Sequence, residues 1–420
     1  MKVIVLGAGI VGMCSAYALR QAGMDVVVVD RQDGPARETS RGNAGGLCPG
    51  FAGPWAAPGM MGKALRWLFE EHAPLKWKPR ASMDQLTWLA SFARNCTKTR
   101  FARNKSTMQR IAQYSSVCLK DLRENTGIAH DFNQGGVLQV FQTEEELAMA
   151  RQSSQVLSRF GVAHALVDAQ RVLELEPALR SASATFTGGL HLMEDATGDS
   201  YLLAQGLEQW LRERGVEFHF GTRVDALAPG RPGQDCAVRL ADGRSLAADA
   251  VVVATGSDAP QLLRPLGIRL PVYPVKGYAI TMEIADDEAA PRSCVMDEHS
   301  KIMVTRLGTR LRAAGIAEIS DHKAWADPAK TGFVRDTVQR LFPGAGDYST
   351  AEGWCGLRPM TPDGPGYLGA TPHKEIFLAC GQGSNGWTQA AGVGRIVADI
   401  VAGRTPEIDM QGLTLENRYG

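Results

Sequence analysis

Residues 1–30 constrain the fold more than any other stretch of this chain. Lys2 to Leu6 is an apolar run suited to a buried strand, Gly7, Gly9 and Gly12 make a glycine-rich turn, and an apolar helix follows to Gly23. A second apolar run, Asp25 to Val29, ends in Asp30. Strand, glycine turn, helix, strand and acid in that order form a dinucleotide-binding fingerprint. Gly7 permits the tight turn, Gly9 lets backbone approach a pyrophosphate, and Gly12 lets the helix pack closely on the strand. The first helical turn, with Ile10 and Val11, then offers N–H groups and a positive dipole end to phosphate. Asp30 suits a ribose 2′-hydroxyl and would repel a 2′-phosphate, which argues against NADP; Arg31 is placed in the same site. Three glycines in an unrelated turn is the competing reading, and the two flanking strands and the acid weigh against it.

The fingerprint starts at the first residues, so no signal or transit peptide is expected ahead of it. No run of about 18 apolar residues is present, so no membrane-spanning helix is expected. Lys plus Arg and Asp plus Glu stand at 45 each, which gives no support for a nucleic-acid partner. The eight cysteines contain no CxxC pair and fall in no metal-ligand pattern with the histidines, so they read as reduced thiols and no metal is expected.

Beyond Asp30, the string Glu38-Thr-Ser-Arg-Gly-Asn-Ala-Gly-Gly-Leu47 is small and polar, as a loop lying against a cofactor requires. It supplies Thr39, Ser40, Asn43, Ala44, Gly45, Gly46 and Leu47 as candidate contacts. Residues 49–79 carry five prolines and the rings of Phe51, Trp55, Trp67, Phe69 and Trp77. A long apolar loop of this kind reads as an active-site lid or a membrane-touching surface, with core packing as the third option. Ser82 to Asn125 has helical spacing, followed by a strand from Val137 to Gln142 and a helix from Glu144 to Arg159. A helix from Ser200 to Arg214 leads to strands Val216 to His219, Arg223 to Leu227 and Ala250 to Ala254. Val224, Thr255 and Gly256 lie near strand ends, where nucleotides sit in open α/β sheets. Residues 271–317 read as antiparallel, and Asp327 to Leu341 as a helix.

Near the C-terminus a second glycine-rich turn, Gly381-Gln-Gly-Ser-Asn-Gly-Trp-Thr388, opens a long helix. Gly383, Ser384, Asn385, Gly386, Trp387 and Thr388 would place a helix N-terminus at the pyrimidine side of an isoalloxazine ring. There its dipole stabilises the negative charge that collects on a reduced flavin. This favours flavin over nicotinamide; a plain helix-entry loop is the alternative.

The strings Glu38-Thr-Ser40, Pro54-Trp-Ala-Ala-Pro-Gly59, Val272-Tyr-Pro-Val-Lys-Gly-Tyr278, Gly356-Leu-Arg-Pro-Met-Thr-Pro-Asp-Gly364 and Gly386-Trp-Thr388 carry a resemblance over nearly the whole chain. The chain resembles the small, FAD-bearing subunit of bacterial D-amino acid dehydrogenases, within the D-amino acid oxidase and glycine oxidase superfamily. The resemblance implies non-covalent FAD, oxidative deamination of D-amino acids such as D-alanine, and electron delivery to a quinone or other respiratory acceptor. It also implies peripheral contact with the cytoplasmic side of the bacterial inner membrane. The fold expected is α/β, α+β overall: a Rossmann-like, discontinuous FAD-binding domain of the glutathione-reductase type (1–80, 190–270, 345–420). An antiparallel-sheet and helix substrate or cap domain (81–189, 271–344) completes it.

Arg358 matches the superfamily arginine that binds the substrate carboxylate, a role for which a planar guanidinium is suited. Tyr273, Lys276 and Tyr278 form a second candidate catalytic cluster; a solvent lysine with two core-edge tyrosines is the alternative. In a regular strand Lys276 and Tyr278 share a face, and Tyr273 joins them only through a bulge or bend. Arg306 is a loosely implied second carboxylate contact, and His299 and His322 read as surface residues. Cys355 falls one residue away from where some relatives attach flavin through sulfur. Gln382-Gly383 replaces an expected His-Gly pair, which leaves the preferred side chain open, D-proline-like substrates included, and a hydroxyproline-type D-imino acid dehydrogenase is an alternative. An oxygen-using oxidase of glycine, sarcosine or D-amino acids remains an alternative, as does a non-catalytic electron-relay subunit.

Overall fold

The computed structural model describes residues 1–67, 74–230, 236–416 and 418. Phe69, one of the rings read in the 49–79 segment, lies outside the described residues.

The fingerprint strand Lys2–Leu6 sits inside a six-stranded sheet. Asp25–Val29 and then Glu217–His219 lie parallel on one side of it; Ala250–Val253 and then Ile376–Cys380 lie parallel on the other. Tyr367–Ala370 closes that side as an antiparallel edge. The chain leaves the first strand in one direction and later returns on its other side, so a crevice opens where the order reverses, at the C-terminal ends of Lys2–Leu6 and Ala250–Val253. Both faces of the sheet are covered, which is why these strands are continuous apolar runs. Val3, Val5, Val26 and Val28 pack under the helices Ile10–Gln21, Ser200–Arg212 and Gly386–Val401. Ile4, Leu6, Val27 and Val29 pack under a three-stranded sheet of Val224–Ala228, Cys236–Leu240 and Ser245–Ala248. The first and last helices cross closely because residue 394 is glycine: a Cβ there would stand 2.4 Å from the Cys14 carbonyl oxygen.

The second large sheet has nine strands and is mixed. Tyr273–Glu283 pairs antiparallel with both Arg310–Ile319 and Glu352–Met360. Cys294–Asp297 is antiparallel to Ile302–Leu307 but parallel to Val137–Phe141. Within 271–317 the strands are thus antiparallel to one another, as their spacing suggests. Glu352–Met360 and Leu75–Trp77 also pair in this sheet, although both fall in ranges read as nucleotide-binding. Helix Pro328–Leu341 seals one face through Val334, Val338 and Leu341 against Tyr278, Ile280 and Met282. The helical stretch read as Ser82 to Asn125 is two helices, Met83–Asn95 and Lys98–Thr126. The break has a local cause: Thr97 caps the second helix by accepting from Arg100 N–H, as Ser82 caps the first by accepting from Gln85 N–H.

Candidate active site

Two cavities meet at the crevice. A groove of about 330 Å³ runs over the fingerprint, and a chamber of about 590 Å³ lies against the mixed sheet. Thr39, Asn43 and Gly383 line both, so the spaces are continuous.

In the groove, Gly7 holds a φ of +97° and any Cβ would press on the Ala254 carbonyl at 2.6 Å. Gly12 is required by helix packing, since its Cβ would fall 1.8 Å from the Gly7 carbonyl oxygen. Gly9 differs: the nearest atom to a Cβ there is Ser40 Oγ at 3.5 Å, an ordinary contact. The chain itself does not need glycine at position 9, whereas a ligand lying against the backbone would. Ser40 Oγ accepts from Ile10 N–H at 3.1 Å, and the first helix has no side-chain cap from Gly9, so its next first-turn donors remain available to an anion. Asp30 accepts from Ala8 N–H at 2.6 Å and Gln32 N–H at 2.8 Å. Burial raises its pKa, and these two backbone bonds work against that rise. Arg31 is held by Glu38 through two bonds of 2.7 and 2.9 Å and by Asp258 at 2.8 Å.

Of the residues read as cofactor contacts, Gly7, Gly9, Ile10, Val11, Asp30, Arg31, Thr39, Ser40, Asn43, Val224, Thr255, Gly256, Gly383, Gly386 and Trp387 line the groove. Ala44, Gly46, Ser384, Asn385 and Thr388 line the chamber. Gly12, Gly45 and Leu47 line neither: Gly12 serves packing, and Gly45 takes a φ of +85° under Leu307 and Thr305. Leu47 joins the core beneath the first helix. Thr255 Oγ1 and Gln382 Nε2 are buried without a hydrogen-bond partner among the described residues, and both residues line the groove. The last helix likewise begins at Asn385 with no side-chain cap. Uncapped helix starts, orphaned polar atoms and a ligand-dictated glycine fit an elongated dinucleotide such as FAD lying through both spaces.

The chamber floor carries Arg358. Its Nη1 donates to the Lys276 carbonyl at 3.1 Å and the Ile316 carbonyl at 3.0 Å, and Nη2 donates to Gly315 at 3.5 Å. These carbonyls are exposed by a bulge in Arg310–Ile319, where Ile316 has a φ of +52°. They use both Nη1 protons and one of Nη2. The remaining Nη2 proton and the Nε proton lie on one edge of the guanidinium, the geometry that takes a carboxylate with two parallel bonds. No carboxylate pairs with Arg358 among the described residues, and burial pushes its pKa down to about 10. Gly277 makes this placement possible, because a Cβ there would lie 2.3 Å from Arg358 Cζ.

The other candidate catalytic residues are not brought to that edge. Tyr273–Glu283 pairs regularly with Glu352–Met360, and Val275 stands opposite Arg358. Tyr273, Val275 and Gly277 therefore share the Arg358 face, while Lys276 and Tyr278 point to the other, although Tyr278 still borders the chamber at the bulge. The bulge lies in the neighbouring strand and does not change this. Lys276 Nζ pairs with Asp321 at 2.5 Å, and Tyr278 donates to Glu318 at 3.4 Å beneath the sealing helix. Tyr273 donates to the Ser320 carbonyl at 2.6 Å and accepts from Gln85 at 3.1 Å. Cys355 stands opposite Tyr278 and lines neither space. Arg306 is corrected outright: its guanidinium pairs with Asp287 and lines neither space. His299 is exposed and pairs with Glu146. The sequence reading did not single out Lys105, which reaches the chamber wall from helix Lys98–Thr126, nor Phe101, Met296 and Met303. Helical spacing marks Phe101 and Lys105 only as one face of a helix, and no motif singles them out.

Comparison with known proteins agrees with this geometry. The model of the FAD dependent oxidoreductase family (DAO) matches residues 2–400. The chain is 49% identical over 419 residues to a D-amino acid dehydrogenase of Cereibacter sphaeroides, covering 100% of this chain and 95% of that one. It is 47% identical over 420 residues to a D-amino acid dehydrogenase of Rhizobium johnstonii, covering all of both. In fold it is similar to glycine oxidase from Geobacillus kaustophilus, with a TM-score of 0.76 at 21% identity over 100% of this chain and 99% of that one. L-proline dehydrogenase from P. horikoshii gives a TM-score of 0.72 at 18% identity, over 96% and 94%. With a family match over residues 2–400 and a site of matching chemistry, the chain belongs to the DAO family of FAD-dependent oxidoreductases.

Proposed function

We propose that this chain oxidises D-amino acids to 2-oxo acids and ammonia, with Arg358 holding the substrate carboxylate. The observation that carries the reading is the two-donor edge of Arg358 on the chamber floor, without an acidic partner among the described residues. The D hand is supported by the names of relatives at 46–49% identity. Bound FAD supplies the hydride acceptor for the α-hydrogen. The protein supplies position: Arg358 fixes the carboxylate, Gly277 lets the guanidinium lie flat, and Phe51, Trp55 and Met303 line the chamber with apolar surface. The amino group reacts as the neutral amine, and the imine product is hydrolysed by water to the 2-oxo acid and ammonia. No side chain is assigned as general base, and Lys276 and Tyr278 are assigned to holding the floor strand from behind.

Electrons leave to a quinone-type respiratory acceptor at the inner face of the membrane. No described helix is long and apolar enough to cross a membrane. Residues 60–105 hold ten Lys and Arg against three Asp and Glu, in a chain that as a whole has 45 of each. Met61, Trp77, Met83 and Leu86 in the same stretch are exposed. Basic charge beside exposed apolar side chains supports contact with an anionic lipid surface.

The test is anaerobic titration of the purified holoprotein with D- and L-amino acids, followed in the flavin band. Bleaching by D-enantiomers alone is expected. Arg358→Ala should lower kcat/KM by about a hundredfold, roughly 3 kcal/mol, through KM at unchanged flavin content. A band untouched by every amino acid would favour an electron-relay subunit, and peroxide produced in step with turnover would favour an oxidase.

A further inference from the structure

The flavin end of the cofactor would take the part of the chamber lined by Ala44, Gly46, Ser384, Asn385 and Thr388, which leaves the remainder, beside the carboxylate clamp, for the substrate. If Arg358 holds the carboxylate, as proposed above, the side chain must enter the rest of that space. Thr39, Asn43 and Gly383 mark where the chamber joins the cofactor groove. The other walls come from Phe51, Trp55, Met60, Phe101, Met296 and Met303. Two further cations border the chamber, and both are engaged in its walls. Lys105 Nζ donates to the Ala52 carbonyl at 2.6 Å and the Gly50 carbonyl at 3.3 Å, and Lys301 pairs with Glu298. A second carboxylate on the substrate would therefore compete with bonds already made, whereas an apolar side chain would displace water from aromatic and thioether surface.

We infer that this enzyme selects D-amino acids with large apolar side chains, of the phenylalanine, methionine and leucine class, over alanine and over acidic ones. Three methionines suit this breadth. Unbranched thioethers repack around either a linear chain or a ring, and sulfur makes favourable contacts at ring edges. Each methylene that leaves water contributes about fourfold, so several of them give at least a tenfold advantage in kcat/KM over alanine.

The experiment pairs turnover with binding on the wild-type holoprotein. Relative kcat/KM is measured for D-phenylalanine, D-methionine, D-alanine and D-glutamate. In parallel, the dissociation constants of 3-phenylpropanoate and propanoate are read from perturbation of the visible spectrum; neither acid has an amino group to be oxidised. The expected result is D-phenylalanine and D-methionine at least tenfold above D-alanine and D-glutamate, with 3-phenylpropanoate at least tenfold tighter than propanoate. Phe101→Ala and Met303→Ala should each shrink the phenylalanine-to-alanine ratio. D-alanine or D-glutamate equal to or above D-phenylalanine would overturn the inference. Selective binding of 3-phenylpropanoate with no turnover of any D-amino acid would sink the reaction proposed above while upholding the apolar class of ligand.

Discussion

At the scale of single residues, Gly277 and Arg358 act as one unit. A methyl at 277 would press on the face of the guanidinium, 2.3 Å from Cζ, so Gly277→Ala should raise KM for every amino acid substrate by about the factor expected for Arg358→Ala, with flavin content retained. Steady-state kinetics beside the flavin absorbance ratio checks it, and an unchanged KM would separate the two residues. A second pairing works through a peptide: Asp195 accepts from Gly50 N–H at 3.1 Å while Lys105 donates to the carbonyl of the same residue at 3.3 Å. Burial raises the Asp195 carboxyl to about 7 and lowers the Lys105 amine to about 8. The raised carboxyl contributes stability that is full below its unfolded value near 4 and is lost as pH rises towards 7. The lowered amine contributes stability present at high pH and lost as pH falls through about 8. Asp195→Asn removes the first ionisation, so a decline in thermal midpoint between about pH 4 and 7 is expected of the wild type and should be lost in the variant. A parallel decline in both proteins would argue against it.

At the scale of elements, the fingerprint was legible because each of its residues has a local duty: apolar alternation is absent where both sheet faces are covered, and glycine sits where a Cβ cannot. Gly12→Ala should therefore cost flavin content as well as stability. Its Cβ meets the Gly7 carbonyl oxygen, which is backbone and can yield only by moving the turn. Apoprotein on purification, measured by the ratio of flavin to protein absorbance, is the expected outcome; a fully loaded protein would contradict it. The orientation of Lys276 and Tyr278 was not legible, because a strand's alternation tells which residues share a face but not which face looks into the chamber. That depends on pairing with Glu352–Met360, 70 residues or more further along the chain. The helix break at Cys96 and Thr97 was hidden for a related reason: the apolar spacing runs on through the cap, and only a hydroxyl bonded to Arg100 N–H marks the boundary.

At the scale of the whole molecule, a sheet of mainly parallel strands and a mixed sheet enclose one continuous space; Met60, Leu75, Phe101 and Lys105 border it, and they belong to a stretch, 60–105, with ten basic against three acidic residues. The two facts give the molecule a direction. Sedimentation with phosphatidylglycerol vesicles should carry the protein down at low salt, lose it above roughly 0.3 M salt, and fail with neutral phosphatidylcholine, because such attraction fades within a Debye length. Equal binding to both vesicle types would remove the electrostatic basis. The family resemblance, the two glycine-rich turns and, in the lid reading of 49–79, Phe51 and Trp55 were readable from sequence, but Phe101 and the methionine walls were not. Those come from four separate elements whose side chains look, one at a time, like ordinary core.

The strand Glu352–Met360 places neighbouring residues in different spaces. Leu357 lines the dinucleotide groove and is bonded through its backbone to Thr39 Oγ1 on both sides, at 2.9 and 3.2 Å; Arg358 faces the chamber. One rigid peptide thus belongs to two ligands. Whatever free energy the substrate carboxylate spends or gains in setting that peptide is felt at the cofactor, and thermodynamic reciprocity requires the cofactor to return the same coupling to the substrate. A holoprotein and an apoprotein of this fold should then differ in their affinity for a simple carboxylate by the same factor with which that carboxylate shifts retention of FAD.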